Sequence, residues 1–144
     1  MRLIRLTLMI HLLLHAALWL SAGALLLTEA SHDGSIAHFY QVLCGALIIH
    51  LGSYHWAMGQ WQEDLSEGHS WPSSLSTALI TFVLGIVVLL LPPAALFATL
   101  AAAALLFWQE SWGRIARYIQ PWYLRLRWLQ MASLVLTQLV LLPV

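Results

Sequence analysis

The sequence predicts an all-α, polytopic membrane helical bundle of about five transmembrane helices with its N-terminus inside, and three observations predict it. Apolar residues make up 61% of the 144-residue chain and charged ones 8%, more apolar surface than a soluble core of this size can hide. That surface lies in long runs without barrel-like alternation, and backbone in lipid must satisfy its own hydrogen bonds, so the spans are read as helices. With five crossings, Arg2, Arg5, Arg114, Arg117, Arg125 and Arg127 all fall on one side, which is the positive-inside pattern.

Windows of about 20 apolar residues place the spans at 4–27, 38–58, 74–91, 94–110 and 124–142, in a single domain covering residues 1–144. The first begins with Arg2 and Arg5 ahead of an apolar run and small residues at Ser21 to Ala24, features shared with a signal peptide. The run from Leu6 to Leu27 is nevertheless long enough to cross a hydrocarbon core of roughly 30 Å, so it is read as a retained transmembrane helix. An outer loop with Glu29 and Asp33 leads to the second span. There Gly45, Gly52 and Gly59 recur every seven residues and form one nearly straight groove, with Trp56 assigned to the same face.

An inner loop with Glu63, Asp64 and Glu67 precedes the third span, whose Thr77, Thr81 and Gly85 make a small-residue stripe. Pro92 and Pro93 stop that helix and predict a tight turn at the membrane surface. The fourth span is short and alanine-rich, with a broken or re-entrant hairpin as the alternative. An amphipathic segment with Arg114, Arg117 and Tyr118 follows, and Pro121 opens the last helix, where its missing N–H is harmless. Arg125 and Arg127 at that helix start are expected to snorkel to phosphates. Gln130, Ser133, Thr137 and Gln138 give the fifth span a polar face, and the second helix is expected near the centre of the bundle.

This topology puts Trp56, Trp61, Trp71, Trp108, Trp112, Trp122 and Trp128 at or near the inner surface, with Trp19 alone toward the outer half. Indole seats its N–H among headgroups, so the lopsided belt reads as anchoring of the inner helix ends or as a face that docks a partner. The chain has no lysine and its six arginines balance six acids, which removes the basic field that nucleic acid would need. Cys44, the single cysteine, excludes an internal disulfide.

Four of the seven histidines lie within spans: His11 and His15 on the first, His50 and His55 on the second. Ionisable groups at such depth usually face the interior of a bundle. Counting from the inner surface, His11 lies roughly 10 Å deep, His15 roughly 16 Å and His50 roughly 12 Å, so His11 and His50 are level. Three readings stay open. A haem b could be held by His11 or His15 with His50; a metal or proton relay could use the same residues, with Glu110 at an edge as the nearest carboxylate; or each neutral imidazole bonds a carbonyl or hydroxyl across helices. Glu110 is expected to form an interfacial ion pair with Arg114 or Arg127, worth little if exposed.

Two stretches resemble a known family. HLGSYHWAMG, residues 50–59, is similar to the FLGGxHWG motif of the domain-of-unknown-function 3429 family (transmembrane protein 69-like membrane proteins). PWYLRLR, residues 121–127, resembles that family's PxWYxxLR element before its last span. The resemblance singles out Gly52, His55, Trp56, Pro121, Trp122, Tyr123, Leu126 and Arg127. His50, Ser53 and Ala57 depart from the motif. It implies an inner-membrane protein of a bacterium or mitochondrion, of unknown function.

No paired carboxylates in a cleft, activated nucleophile or phosphate loop points to an enzyme. The expected role is an accessory, assembly or scaffold subunit whose inner aromatic and arginine face docks a larger membrane complex. The alternatives are a haem b redox protein and a proton or small-solute pathway using Tyr54, His55 and the Gln130 side of the fifth helix.

Overall fold

The computed structural model describes residues 2–27, 34–65, 73–112 and 119–141. Five α-helices follow one another: α1 (Arg2–Leu27), α2 (Gly34–Leu65), α3 (Ser73–Leu90), α4 (Ala95–Trp112) and α5 (Pro121–Leu141). No strand occurs among the described residues. Three helical segments are long and apolar enough to cross a membrane: Arg5–Leu27, Gly34–Gln60 and Pro92–Trp112. The fourth expected span is therefore fully helical and long enough, with the Pro92–Ala94 3₁₀ turn contributing to its length. The segment Ser74–Leu90 is apolar but shorter. Helix α5 gains its polar character from one face, described below.

Prolines punctuate the chain as expected. The α3–α4 connection is tight: Leu91 N donates to Val87 O, and Ala94 N donates to Leu91 O at 2.9 Å. Helix α5 starts on Pro121, and Gln120 O accepts from Tyr123 N and Leu124 N. Helix α2 differs from its expected end, because Gln60–Leu65 continues the helix into what reads as loop. Apolar runs locate the hydrophobic part of a helix, whereas a polar continuation such as QWQEDL is free to stay helical beyond it.

The helices close into a ring in which α1 packs on α2 and α5, α3 on α2 and α4, and α4 on α5. Side chains carry α2 across to α4 and α5 as well, so it touches all four partners and is central. Successive helices run antiparallel. We call proximal the end where α1 and α5 begin and α2 and α4 finish; the other end is distal. All five helices feed one core: Leu18 and Ala22, then Leu47 and Ile48, Val88, Ala98 and Ala102, and Leu134.

The glycine groove of α2 meets the small stripe of α3. A Cβ on Gly45 would lie 2.8 Å from the Gly85 carbonyl oxygen, and one on Gly85 would lie 2.9 Å from the Gly45 oxygen. At Gly52 it would overlap the Thr81 hydroxyl, and at Gly59 it would stand 3.1 Å from Leu75. Thr81 turns its hydroxyl back onto Thr77 O and Ala78 O, at 2.8 and 2.9 Å, and so presents a satisfied group to the neighbour. Trp56 does not sit in this groove; it is 47% exposed. With Thr81 and Leu75 so close to the α2 backbone, an indole has no room there. Of the α4 alanines only Ala98 and Ala102 are buried, while Ala101 and Ala104 face out.

Candidate functional site

At the proximal end α2, α4 and α5 deliver three ionisable side chains to one point. Arg127 Nε donates to Glu110 Oε1 at 2.7 Å, and its Nη2 reaches both that oxygen and, at 2.7 Å, the Leu51 carbonyl of α2. His55 Nε2 lies 3.3 Å from the same carboxylate oxygen. His55 and Glu110 are fully buried and Arg127 is 1% exposed. Two expectations are corrected here. Arg127 does not snorkel, and Glu110 is not an exposed interfacial partner, because each supplies the charge that permits the other's burial. Arg125, two residues earlier and so on another face, is exposed as expected. Arg114 lies outside the described residues.

Rings cover this ionic centre. Arg127 Cζ stands 4.9 Å from the Tyr54 ring centroid and 5.7 Å from that of Tyr123, within cation–π range. Tyr54 and Tyr123 pack with centroids 5.4 Å apart and planes tilted by 58°, Trp122 adjoins Tyr123 at 5.5 Å, and His11 approaches Tyr123 edge-on at 5.9 Å. Tyr54 and Tyr123 lie over the Arg127 guanidinium, while His55 meets Arg127 through the carboxylate oxygen of Glu110 that they share. Inside the centre Glu110 Oε2 and His55 Nδ1 are enclosed and have no hydrogen-bond partner among the described residues.

The remaining histidines of α1 and α2 separate. His11 and His50 are level, with ring centroids 5.4 Å apart and planes tilted by 52°. His15 instead bonds the Ser133 hydroxyl of α5. Gln130 Nε2 donates to His11 Nδ1 across α1 and α5. Among the described residues no cluster of three His, Cys, Asp or Glu side chains is placed to hold a metal ion.

Helix α5 carries a line of such bonds toward the distal end. Its buried residues Arg127, Gln130, Ser133, Thr137 and Gln138 follow helical spacing over roughly 16 Å. Gln130 and Ser133 reach α1, Thr137 accepts from Tyr40 of α2 at 2.8 Å, and Gln138 donates to Thr99 of α4 at 2.9 Å. Sequence reasoning found the α5 face but missed the partners Tyr40 and Thr99. Both carry hydroxyls inside apolar runs, which was the available signal.

No family model, no curated protein and no solved structure matches this chain.

Proposed function

We propose that this chain is a five-span integral protein of a bacterial inner or mitochondrial inner membrane, N-terminus inside. In this reading it works without catalytic chemistry, as an accessory, assembly or scaffold subunit of a larger membrane complex. One observation carries the reading: polarity is inverted relative to a soluble protein. The buried set includes Arg127, Glu110, His55, His11 and Gln130, while Leu12, Leu20, Phe97, Trp112 and many other large apolar residues face outward. Intramembrane polar groups closing on one another are typical of helix bundles in lipid, and here they join helices rather than line a cleft. The likeness of residues 50–59 and 121–127 to the domain-of-unknown-function 3429 family supports the same class.

The exposed aromatics Trp56, Trp108, Trp112 and Trp122 gather at the proximal end with Arg125, which suits both a headgroup layer and a docked partner. Purification from native membranes in a mild detergent, followed by native mass spectrometry, tests the docking. A defined heteromeric assembly is expected. Recovery solely as a monomer or homo-oligomer would overturn it.

A proton pathway is the second reading, favoured by the enclosed Glu110 Oε2 and His55 Nδ1. These are proton-exchanging atoms without a hydrogen-bond partner among the described residues. Proteoliposomes loaded with a pH dye would show proton flux lost in Glu110→Gln; equal flux in wild type, variant and empty vesicles removes the reading.

A further inference from the structure

An open groove of about 570 Å³ runs down the outside of the bundle between α1 and α5. Leu8 forms its α1 wall, and Trp122, Arg125, Leu126 and Leu129 form its α5 wall. Helical spacing explains the second wall, because Trp122, Leu126 and Leu129 stand at i, i+4 and i+7 with Arg125 one turn from both ends. Cross-helix bonds set the level of the first. His11 meets Gln130 and His15 meets Ser133, separations of 119 and 118 residues, and both helices begin at the proximal end. Carried back along α1, that register sets Leu8 beside Leu126 and Arg5 beside Tyr123 and Leu124. Arg5 therefore stands within about 3 Å of the height of Arg125, one turn from Leu8 on a neighbouring face.

Arg5 and Arg125 are both exposed, and neither joins an ion pair among the described residues. A guanidinium stays protonated and offers donors only, so two of them at one height call for an anionic acceptor with several oxygens. Distal to them the walls are leucine. Charge confined to one end and apolar surface along the rest is the polarity of a phospholipid. A partner helix is about 10 Å across and lays its side chains into a broad apolar face, whereas α1 offers this groove a single leucine.

We propose that this groove binds one anionic phospholipid, with its phosphate between Arg5 and Arg125, its glycerol beside the Trp122 indole and an acyl chain along Leu8, Leu126 and Leu129. Arginine suits the phosphate because its planar fork can bond two oxygens at once. Basic recesses between helices at the inner surface are a known setting for such headgroups. The inference rests on the membrane reading above and specifies which lipid this face selects.

The test uses the full chain and begins with a carbonate wash of the membranes that carry it. The chain should stay in the pellet; its release would remove the membrane reading and the site with it. Purified in a neutral detergent, it is then titrated with dioleoyl phosphatidylglycerol and dioleoyl phosphatidylcholine, and bound lipids are counted by native mass spectrometry. The first phosphatidylglycerol is expected to bind about 25-fold more tightly than the first phosphatidylcholine.

Arg125→Gln should lower that preference to about fivefold, and Arg5→Gln added to it should bring the ratio near one. Leu129→Trp keeps both charges but fills the groove, so it should weaken phosphatidylglycerol binding several-fold. All three positions are exposed, so the fold should be unchanged. In a chain retained by the membrane, equal affinities for the two lipids in the wild type, or an anionic preference that survives Leu129→Trp, would overturn the site alone. A protein that co-purifies with the wild type and is lost in Leu129→Trp would also overturn it, by assigning the groove to a partner helix.

Discussion

Two interfaces of this bundle are held by opposite means. Between α2 and α3 the backbones approach until Gly45 and Gly85 are in mutual contact, and what counts is the absence of side chain. Around α5 the side chains are long and polar, and what counts is that each finds its partner on another helix. The first kind of contact exploits dispersion at short range, which in lipid would stand in for the missing hydrophobic drive between helices. The second makes a helix that buries an arginine, two glutamines and two hydroxyls compatible with an apolar surround. A groove tolerates no added atom, whereas a polar rung tolerates no removed one.

Substitutions sharpen this contrast, beginning where the effect is largest. Arg127→Met leaves Glu110 buried without its counter-charge, and should cost about 3–5 kcal/mol of unfolding free energy in mixed micelles. Adding Glu110→Gln to it should return most of that loss, since both charges are then gone. If the double variant is no more stable than the single one, the ionic centre is not the unit described here.

Gly52→Leu should cost about 1–3 kcal/mol by overpacking against Thr81. Thr81→Ala in the same chain should recover part of the loss, because it removes the hydroxyl that a Cβ would meet. A full-sized effect of Gly52→Leu with no rescue would mean that the α2–α3 contact is not what limits this site. Ser133→Ala removes one rung, to His15, and should cost about 0.6 kcal/mol. The same denaturation assay, run as a cycle with His15→Leu, would show whether that energy belongs to the pair.

Smallest, and opposite in sign, is Gly23→Ala. Nothing stands within 4 Å of a Cβ at Gly23 in α1, so alanine there should stabilise by about 0.5 kcal/mol through helix propensity alone. A loss instead would place Gly23 at a contact that the other helices do not make within this chain.

Much of this was legible in the residues. The heptad spacing of Gly45, Gly52 and Gly59 and the Thr77, Thr81, Gly85 stripe foretold two surfaces that do meet, because close approach needs small residues at helical repeats and little else fits. Pro121 foretold the start of α5 to the residue. The candidate site was read only in pieces. His55, Glu110 and Arg127 were each singled out, but Glu110 was expected at the surface and Arg127 among phosphates. Long side chains near a helix end can snorkel or turn inward, and nothing local to PWYLRLR distinguishes the two. The choice is made by a carboxylate 17 residues earlier in the chain, on another helix.

By itself, then, the sequence determined where the helices lie, which faces are small enough to touch, and which side chains carry polarity into apolar runs, since those follow from composition and periodicity along one helix. Tertiary structure alone decided the pairings: His15 with Ser133, Tyr54 over Arg127, and Glu110 buried between Arg127 and His55. Buried polar groups are costly until matched. The match depends on the register between helices, which no single helix specifies.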